Sequence, residues 1–230
     1  MKVDILTLFP QFFEGLSSYS ILGRALQTGI LELRVHDIRD FTQDRHQQAD
    51  DYRFGGGPGM LLKPDPIFRA FSAVVSGTKP RPLVIYPSPQ GKIFSQEVAD
   101  DLAGESHLVF LCGHYKGIDQ RIIERWVDRE YSLGDFVLTG GEIAALAMID
   151  ATVRMIPGAI GDIDSALGDS FRENMLDCAH YTRPENIEGL TVPGVLLSGH
   201  HKNIDIWRDA TANFLTRRRR PDLIEKKSQD

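Results

Sequence analysis

Gly113, Gly117, Gly134, Gly140 and Gly141 stand at the ends of apolar runs in two neighbouring segments, LCGHYKGID and YSLGDFVLTGGE, between Leu111 and Glu142. Lacking a Cβ, glycine adopts positive φ and lets another group come directly against the main chain. Two such loops so close together predict a ligand pressed on bare backbone. Turns without a ligand explain any one of these glycines but explain the pair poorly. The chain has no G-x-x-x-x-G-K-[ST], no G-x-G-x-x-G and no acidic-tipped Gly-x-Gly of the ordinary Rossmann methyltransferases. Loops that offer N–H and C=O groups without a phosphate cradle suit a purine and a ribose better than a triphosphate.

The elements that must position these loops alternate. Strands are predicted at Val3–Phe9, Ile30–His36, Pro82–Tyr86 and Leu108–Cys112, and helices at Ser20–Gln27, Pro64–Val75 and Ser95–Ala103. That order argues for an α/β domain with a largely parallel sheet, placing the Gly113 loop at a strand's carboxyl end, where open α/β sheets bind ligands. Asp119 is a predicted N-cap for a short helix over Ile122–Val127. Glu142–Met155 reads as a helix too apolar to face solvent. The Gly, Asp and Ser of Ile156–Ser170 read as a linker or functional loop. A short helix near Phe171, a turn at Thr182–Glu185 and helices over Asn203–Arg219 and Pro221–Lys227 follow.

At 230 residues, 42% hydrophobic and 25% charged, the chain is long enough to bury a full core. MKVDILTLFP carries Asp4 inside its apolar run and reads as a first strand rather than a signal peptide. Neither a membrane span nor a disulfide framework is expected, and the cysteines Cys112 and Cys178 fit a reducing cytoplasm. The net charge of −6 argues against blanket nucleic-acid affinity, but residues 171–230 hold ten Lys/Arg against nine Asp/Glu while the body is clearly acidic. The Arg217, Arg218, Arg219 and Arg220 run could neutralise phosphates or simply complement a helix dipole.

FGGGPGM at Phe54–Met60, SPQG at Ser88–Gly91, LCGHYKGID, SLGDFVLTGGE, IPG at Ile156–Gly158, DSF at Asp169–Phe171, LDCAHYTRP, and GHH at Gly199–His201 followed by IWR at Ile206–Arg208 stand in one order. Together they resemble the bacterial tRNA (guanine-37-N1)-methyltransferases. The similarity runs from LTLFP to the C-terminal helices, with little sign of insertion. It implies a SPOUT-type α/β fold whose parallel sheet carries a deep trefoil knot, which general topology rules would exclude. It also implies a small C-terminal helical domain. The expected division is a knotted cofactor-binding domain over 1–160, a flexible linker over 161–170 and a helical tRNA-binding domain over 171–230. Implied too are S-adenosylmethionine as cofactor and a homodimer with its active site at the subunit interface.

Guanine N1 carries a proton, so its methylation needs a base, and an aspartate raised toward neutrality by burial serves. By motif position the resemblance assigns that role to Asp169. Charge spreading onto O6 calls for a guanidinium, and the matching residue is Arg154. From the residues alone Asp169 is equally an N-cap and Arg154 a surface helix residue. The resemblance sets the cofactor against Tyr86, Ser88, Pro89, Gly91, Gly113, Tyr115, Ser132, Leu133, Gly134, Leu138, Gly140 and Gly141, with Asp177 for its ammonium. Tyr86 and Tyr115 are as readily core aromatics, and Asp177 a structural acid at the DCAHY turn. The family's divalent cation, Mg2+, has no readable ligand spacing here, since His200 and His201 are adjacent; no metal ligand is assigned.

For RNA, the resemblance implies a tRNA anticodon stem-loop with guanosine at positions 36 and 37. Asp50, Ser165, Asp169 and Arg154 are the contributors expected near the bases. Arg208 and Arg217 to Arg220 are expected on phosphates. His180, His200 and His201 read at least as well as local structural residues. The chain departs from the usual Arg-Tyr-Glu-Gly at His114, Tyr115, Lys116 and Gly117. Lys116 reverses a charge beside the expected cofactor site, and Asp119 or Asp135 are the nearby acids that could compensate. Two other readings accommodate the loops: another SPOUT RNA methyltransferase acting on ribose or a different base, and a non-catalytic RNA-binding module.

Overall fold

The computed structural model describes residues 1–16, 19–161 and 168–227. The chain divides into two compact units, Met1–Gly161 and Asp162–Asp230. The first unit runs β1 (Lys2–Thr7), α1 (Ser20–Gln27), β2 (Glu32–Asp37), β3 (Asp50–Tyr52), β4 (Met60–Leu62), α2 (Pro64–Val75), β5 (Leu83–Ile93), α3 (Gln96–Ala103), β6 (His107–Leu111), α4 (Gln120–Trp126), β7 (Arg129–Ser132) and α5 (Glu142–Val153). Its five-stranded sheet has the order β2-β1-β6-β5-β7, and every pairing is parallel.

The central strands are predominantly apolar because both faces are covered. All of β6 is buried. One face packs Leu22 and Ala25 of α1, Leu102 of α3, and Met148, Ile149 and Val153 of α5. The other receives Ile67, Ala70 and Phe71 of α2 with Ile122 of α4. Asp4 interrupts the apolar pattern of β1 and is 1% exposed. Its carboxylate is engaged by His36 Nε2 at 2.6 Å, His107 Nε2 at 2.7 Å and Lys2 Nζ at 3.1 Å. Burial would raise the Asp4 carboxyl, but hydrogen bonds from His36, His107 and Lys2 prevail and hold it at about 2.

Strand β5 is longer than the predicted Pro82–Tyr86 because it resumes after an interruption. Tyr131 of β7 lies opposite Pro87 and again opposite Lys92, so the intervening residues bulge out of the ladder. Gly91 makes this return possible: a Cβ there would fall 2.4 Å from Tyr131 N and 2.5 Å from Glu130 C.

The helix over Pro64–Val75 forms with the expected bounds, and Asp119 caps α4 by accepting from Arg121 N–H at 2.9 Å. The hairpin of β3 and β4, with Asp50 opposite Leu62, was not expected, nor was β7.

The second unit carries the hairpin β8 (Asn186–Ile187) and β9 (Leu190–Thr191), then α6 (Gly194–Leu197), α7 (His201–Arg219) and α8 (Pro221–Lys227). Glu188 and Gly189 both take positive φ, as a two-residue hairpin turn requires. Thr216 is fully buried on α7 and accepts from Leu176 N–H at 2.9 Å. Near Phe171 the expected short helix is a kinked 3-10 turn, Arg172–Asn174, with Glu173 at φ 49°. Among the described residues no helix is long and apolar enough to cross a membrane.

Candidate functional site

A cleft of about 480 Å3 opens in the first unit at the carboxyl end of the sheet, a size suited to a small organic ligand. The first stretch of β5 and the bulge that follows it contribute Tyr86, Ser88 and Pro89 to its wall. The loop after β6 contributes Gly113 and Tyr115, the end of β7 contributes Ser132, and the loop after it contributes Leu133, Leu138, Gly140 and Gly141. Gly91 and Gly134, also singled out from the sequence, stand outside the lining and shape it instead. Gly91 lets β5 return to β7, and Gly134 takes φ +150°. There its N–H donates to Ser132 Oγ at 3.2 Å.

The two glycine loops meet directly. Gly141 N–H donates to Gly113 C=O at 2.9 Å, and His114 and Gly140 form an antiparallel bridge. A Cβ on Gly141 would sit 2.9 Å from Cys112 Cα and 3.1 Å from Gly113 N, so both neighbours are backbone that cannot swing aside. A Cβ on Gly113 would fall 2.8 Å from Tyr86 Oη. Tyr86 is 7% exposed and so is at once a core aromatic and part of the cleft wall. Burial, with the nearby Glu130 and Cys112, pushes its phenol up to about 12. Tyr115 is held at φ 59°, a left-handed conformation unfavourable for a non-glycine residue and concentrated at ligand sites.

The wall also includes residues that the glycine pattern did not flag: His114, Lys116, Phe136 and Ala144. Of these, Phe136 and Ala144 carry only an apolar signal in sequence. The stem of Lys116 runs over the hairpin turn, where a Cβ on Gly59 would fall 2.7 Å from its Cγ. Its N–H donates to Met60 C=O at 3.1 Å. Asp119 is committed to Arg121, whose Nε and Nη2 both lie 2.8 Å from its oxygens, and this pairing holds its carboxyl below the usual range. Asp135 is exposed. The buried acid of this region is instead Glu142, bound to Thr7 and His114.

Arg154 is the C-cap of α5, its N–H donating to Asp150 C=O at 3.2 Å. Asp169, half-buried, belongs to the second unit. Asp177 lies in that unit too, where its Oδ1 accepts from Cys178 N–H at 2.6 Å and its Oδ2 lies 2.7 Å from His180 Nε2. Burial would raise the Asp177 carboxyl, but these partners hold it below its ordinary value. Asp177, Cys178 and His180 are close enough to share a metal ion, yet the hydrogen bond between acid and histidine already accounts for their approach.

Asp50 is half-buried on β3, and Ser165 lies outside the described residues. Arg208 pairs with Asp205 at 3.4 Å on the exposed surface of α7. Arg217, Arg218 and Arg219 are exposed in its last turn. Arg220 differs from them: it grips Asp222 with Nε at 2.9 Å and Nη2 at 2.7 Å, and its guanidinium lies over the Phe171 ring at 5.7 Å.

Comparison with known proteins adds to this geometry. The family model described as tRNA (Guanine-1)-methyltransferase TrmD matches residues 1–226. A tRNA (guanine-N(1)-)-methyltransferase of Brevibacillus brevis is 50% identical over 226 residues, covering 98% of this chain and 92% of the relative. One from Carboxydothermus hydrogenoformans is 50% identical over 225 residues, covering 98% and 88%. One from Bacillus cereus is 48% identical over 227 residues, covering 99% and 93%. With a match running through both units and over nearly its whole length, the chain belongs to the tRNA (guanine-1)-methyltransferase TrmD family.

Proposed function

We propose that this protein transfers a methyl group from S-adenosylmethionine to N1 of guanosine 37 in tRNA. The carrying observation is that the family match over residues 1–226 coincides with a cleft walled by the meeting backbones of Gly113 and Gly141. The fit to an adenosine is physical. A Cβ on Gly113, Gly140 or Gly141 would clash, so the wall is bare main chain able to present N–H and C=O to a flat ring and a sugar.

When bound, the cofactor supplies a methyl group on a sulfonium, a leaving group that needs no general acid. The chain's own work is then alignment and one proton. Tyr86, Ser88, Pro89, Gly113, Tyr115, Ser132, Leu133, Leu138, Gly140 and Gly141 hold the adenosine and methionine parts, with Gly91 and Gly134 setting the shape of that wall. Asp177 meets the ammonium. Asp169 removes the N1 proton, and Arg154 stabilises the negative charge that grows on guanine O6. Asp50 and Ser165 help select the base, while Arg208 and the exposed Arg217, Arg218 and Arg219 hold phosphates.

Family membership supports the finer parts of this reading: a trefoil knot in the first unit, a second unit that grips the anticodon stem-loop, and a homodimer whose active site is shared between subunits. The same membership supports Mg2+ as an accessory, with no ligand assigned, and the cytoplasm as the place where the enzyme meets its tRNA. Transfer of labelled methyl from S-adenosylmethionine to tRNA transcripts tests the reading. Label is expected with guanosine at position 37 and is lost when another base replaces it. No label in the guanosine transcript refutes the assignment, and label on a ribose or a different base points to another SPOUT activity.

A further inference from the structure

Glu142 opens α5 and is 2% exposed. A helix N-terminus favours a carboxylate, and at the surface that alone would explain an acid here. Burial changes the question, because a carboxylate taken out of water is strongly unfavourable unless its oxygens are engaged. Both oxygens of Glu142 reach outside their own helix. Oε1 accepts from the Thr7 hydroxyl at 2.6 Å, and Oε2 lies 3.0 Å from His114 Nε2. Thr7 ends β1, and its Oγ1 also accepts from Phe9 N–H at 2.9 Å.

One carboxylate therefore ties together a central strand, the loop after β6 and the start of α5. With a carboxylate as its partner, His114 carries a proton on Nε2. The Phe9 ring lies against the imidazole at 4.6 Å and the Tyr115 ring at 6.0 Å. The second glycine loop passes directly over the pair: a Cβ on Gly140 would fall 2.1 Å from His114 Nε2 and 2.4 Å from Glu142 Oε2. His114 and Gly140 line the cleft, whereas Glu142 stands behind the wall.

We propose that Glu142, acting through His114, is a positioning residue for the cofactor. By holding the imidazole at the crossing of the two glycine loops, it fixes the separation of Gly113 and Gly140, the bare-backbone walls of the cleft. This rests on the reading that S-adenosylmethionine binds there. Its effect falls on cofactor affinity and leaves the methyl-transfer step itself largely unchanged, because Glu142 touches neither cofactor nor base.

Glu142→Ala, Glu142→Gln and His114→Ala are compared with the unaltered protein. The readouts are S-adenosylhomocysteine binding by isothermal titration calorimetry, KM for S-adenosylmethionine, kcat on a guanosine-37 transcript, and Tm. Glu142→Ala and His114→Ala are expected to weaken S-adenosylhomocysteine binding by about tenfold or more and to raise KM in parallel, with kcat within about threefold. Glu142→Gln, whose amide oxygen still accepts from Thr7 and whose NH2 donates to His114 Nε2 once the imidazole proton moves to Nδ1, is expected to recover most of the affinity. Binding and KM within about twofold of the unaltered protein in the alanine variants overturn the proposal. Should Glu142→Ala not fold, His114→Ala decides by the same criterion. Affinity in Glu142→Gln as poor as in the alanine variants, at an unchanged Tm, also overturns it. Failure of the unaltered protein to bind S-adenosylhomocysteine refutes the underlying function instead, so the two failures are told apart.

Discussion

The backbone N–H of Gly141 donates to the carbonyl of Gly113 at 2.9 Å, so two loops separated by a helix and a strand are joined through main chain with no side chain between them. A wall built this way has a shape set by backbone rather than by rotamers, and it suffers from the addition of a single methyl group.

Gly141→Ala places its Cβ 2.9 Å from Cys112 Cα, and the loops must separate to admit it. We expect S-adenosylhomocysteine affinity, measured by calorimetry, to fall by about tenfold or more. Gly104→Ala, whose Cβ meets only Asp101 C=O at 3.4 Å, serves as the control and should leave affinity unchanged. Equal affinities in both variants would show that the crossing of the loops does not shape the ligand site.

Gly91→Ala acts on the scaffold beneath the cleft. The new Cβ would fall 2.4 Å from Tyr131 N, pushing β5 off β7. A loss of about 2–4 kcal/mol is expected, readable as a Tm lowered by about 5–15 °C in calorimetry. A Tm within about 2 °C of the unaltered protein would mean that the interrupted strand does not return to β7.

Asp4 supplies a pH dependence. Its folded carboxyl is held at about 2, below its ordinary value of 3.8, by His36, His107 and Lys2 acting against burial. Its contribution is therefore complete above about pH 4 and is lost as pH falls toward 2, where the folded carboxylate takes up its proton. Asp4→Asn should lower stability at neutral pH by about 2 kcal/mol and flatten the acid limb of a denaturation series between about pH 4 and 2. An unchanged acid limb would remove this cluster from the acid stability of the sheet.

Periodicity and capping made much of the scaffold legible. Pro64–Val75 and Pro221–Lys227 form with the bounds their prolines and apolar spacing imply, and Asp119 caps α4 as its position suggests. The glycine loops were legible for a different reason, since a glycine at the end of a buried strand signals backbone approach without reference to distant residues. What stayed hidden depends on contacts far apart in sequence. The β3–β4 hairpin has only three paired residues on each side, too few for an alternating pattern to stand out. The partners of Glu142 lie 135 and 28 positions away, so nothing local distinguishes it from an ordinary helix-opening acid. Asp4, read as a polar interruption in a first strand, owes its burial to His36 and His107 on the flanking strands.

The arginine run divides by geometry. Arg220 is occupied by Asp222 and by the face of Phe171, while Arg217, Arg218 and Arg219 are exposed. Replacing those three with alanine should raise KM for tRNA by about tenfold and reduce the slope of log affinity against log salt by about two, with KM for S-adenosylmethionine unchanged. An unaltered salt slope would take these residues off the RNA.

Under the proposed function Asp169 takes the proton of guanine N1, so removing its carboxylate should slow the transfer step itself. The decisive measurement is single-turnover transfer of labelled methyl to a guanosine-37 tRNA transcript, compared between the unaltered protein and Asp169→Ala at matched cofactor and tRNA saturation. The rate is expected to be lower by about 10²–10⁴-fold in the variant, with S-adenosylhomocysteine affinity within about threefold. An Asp169→Ala protein that methylates guanosine 37 at the unaltered rate would rule out Asp169 as the base.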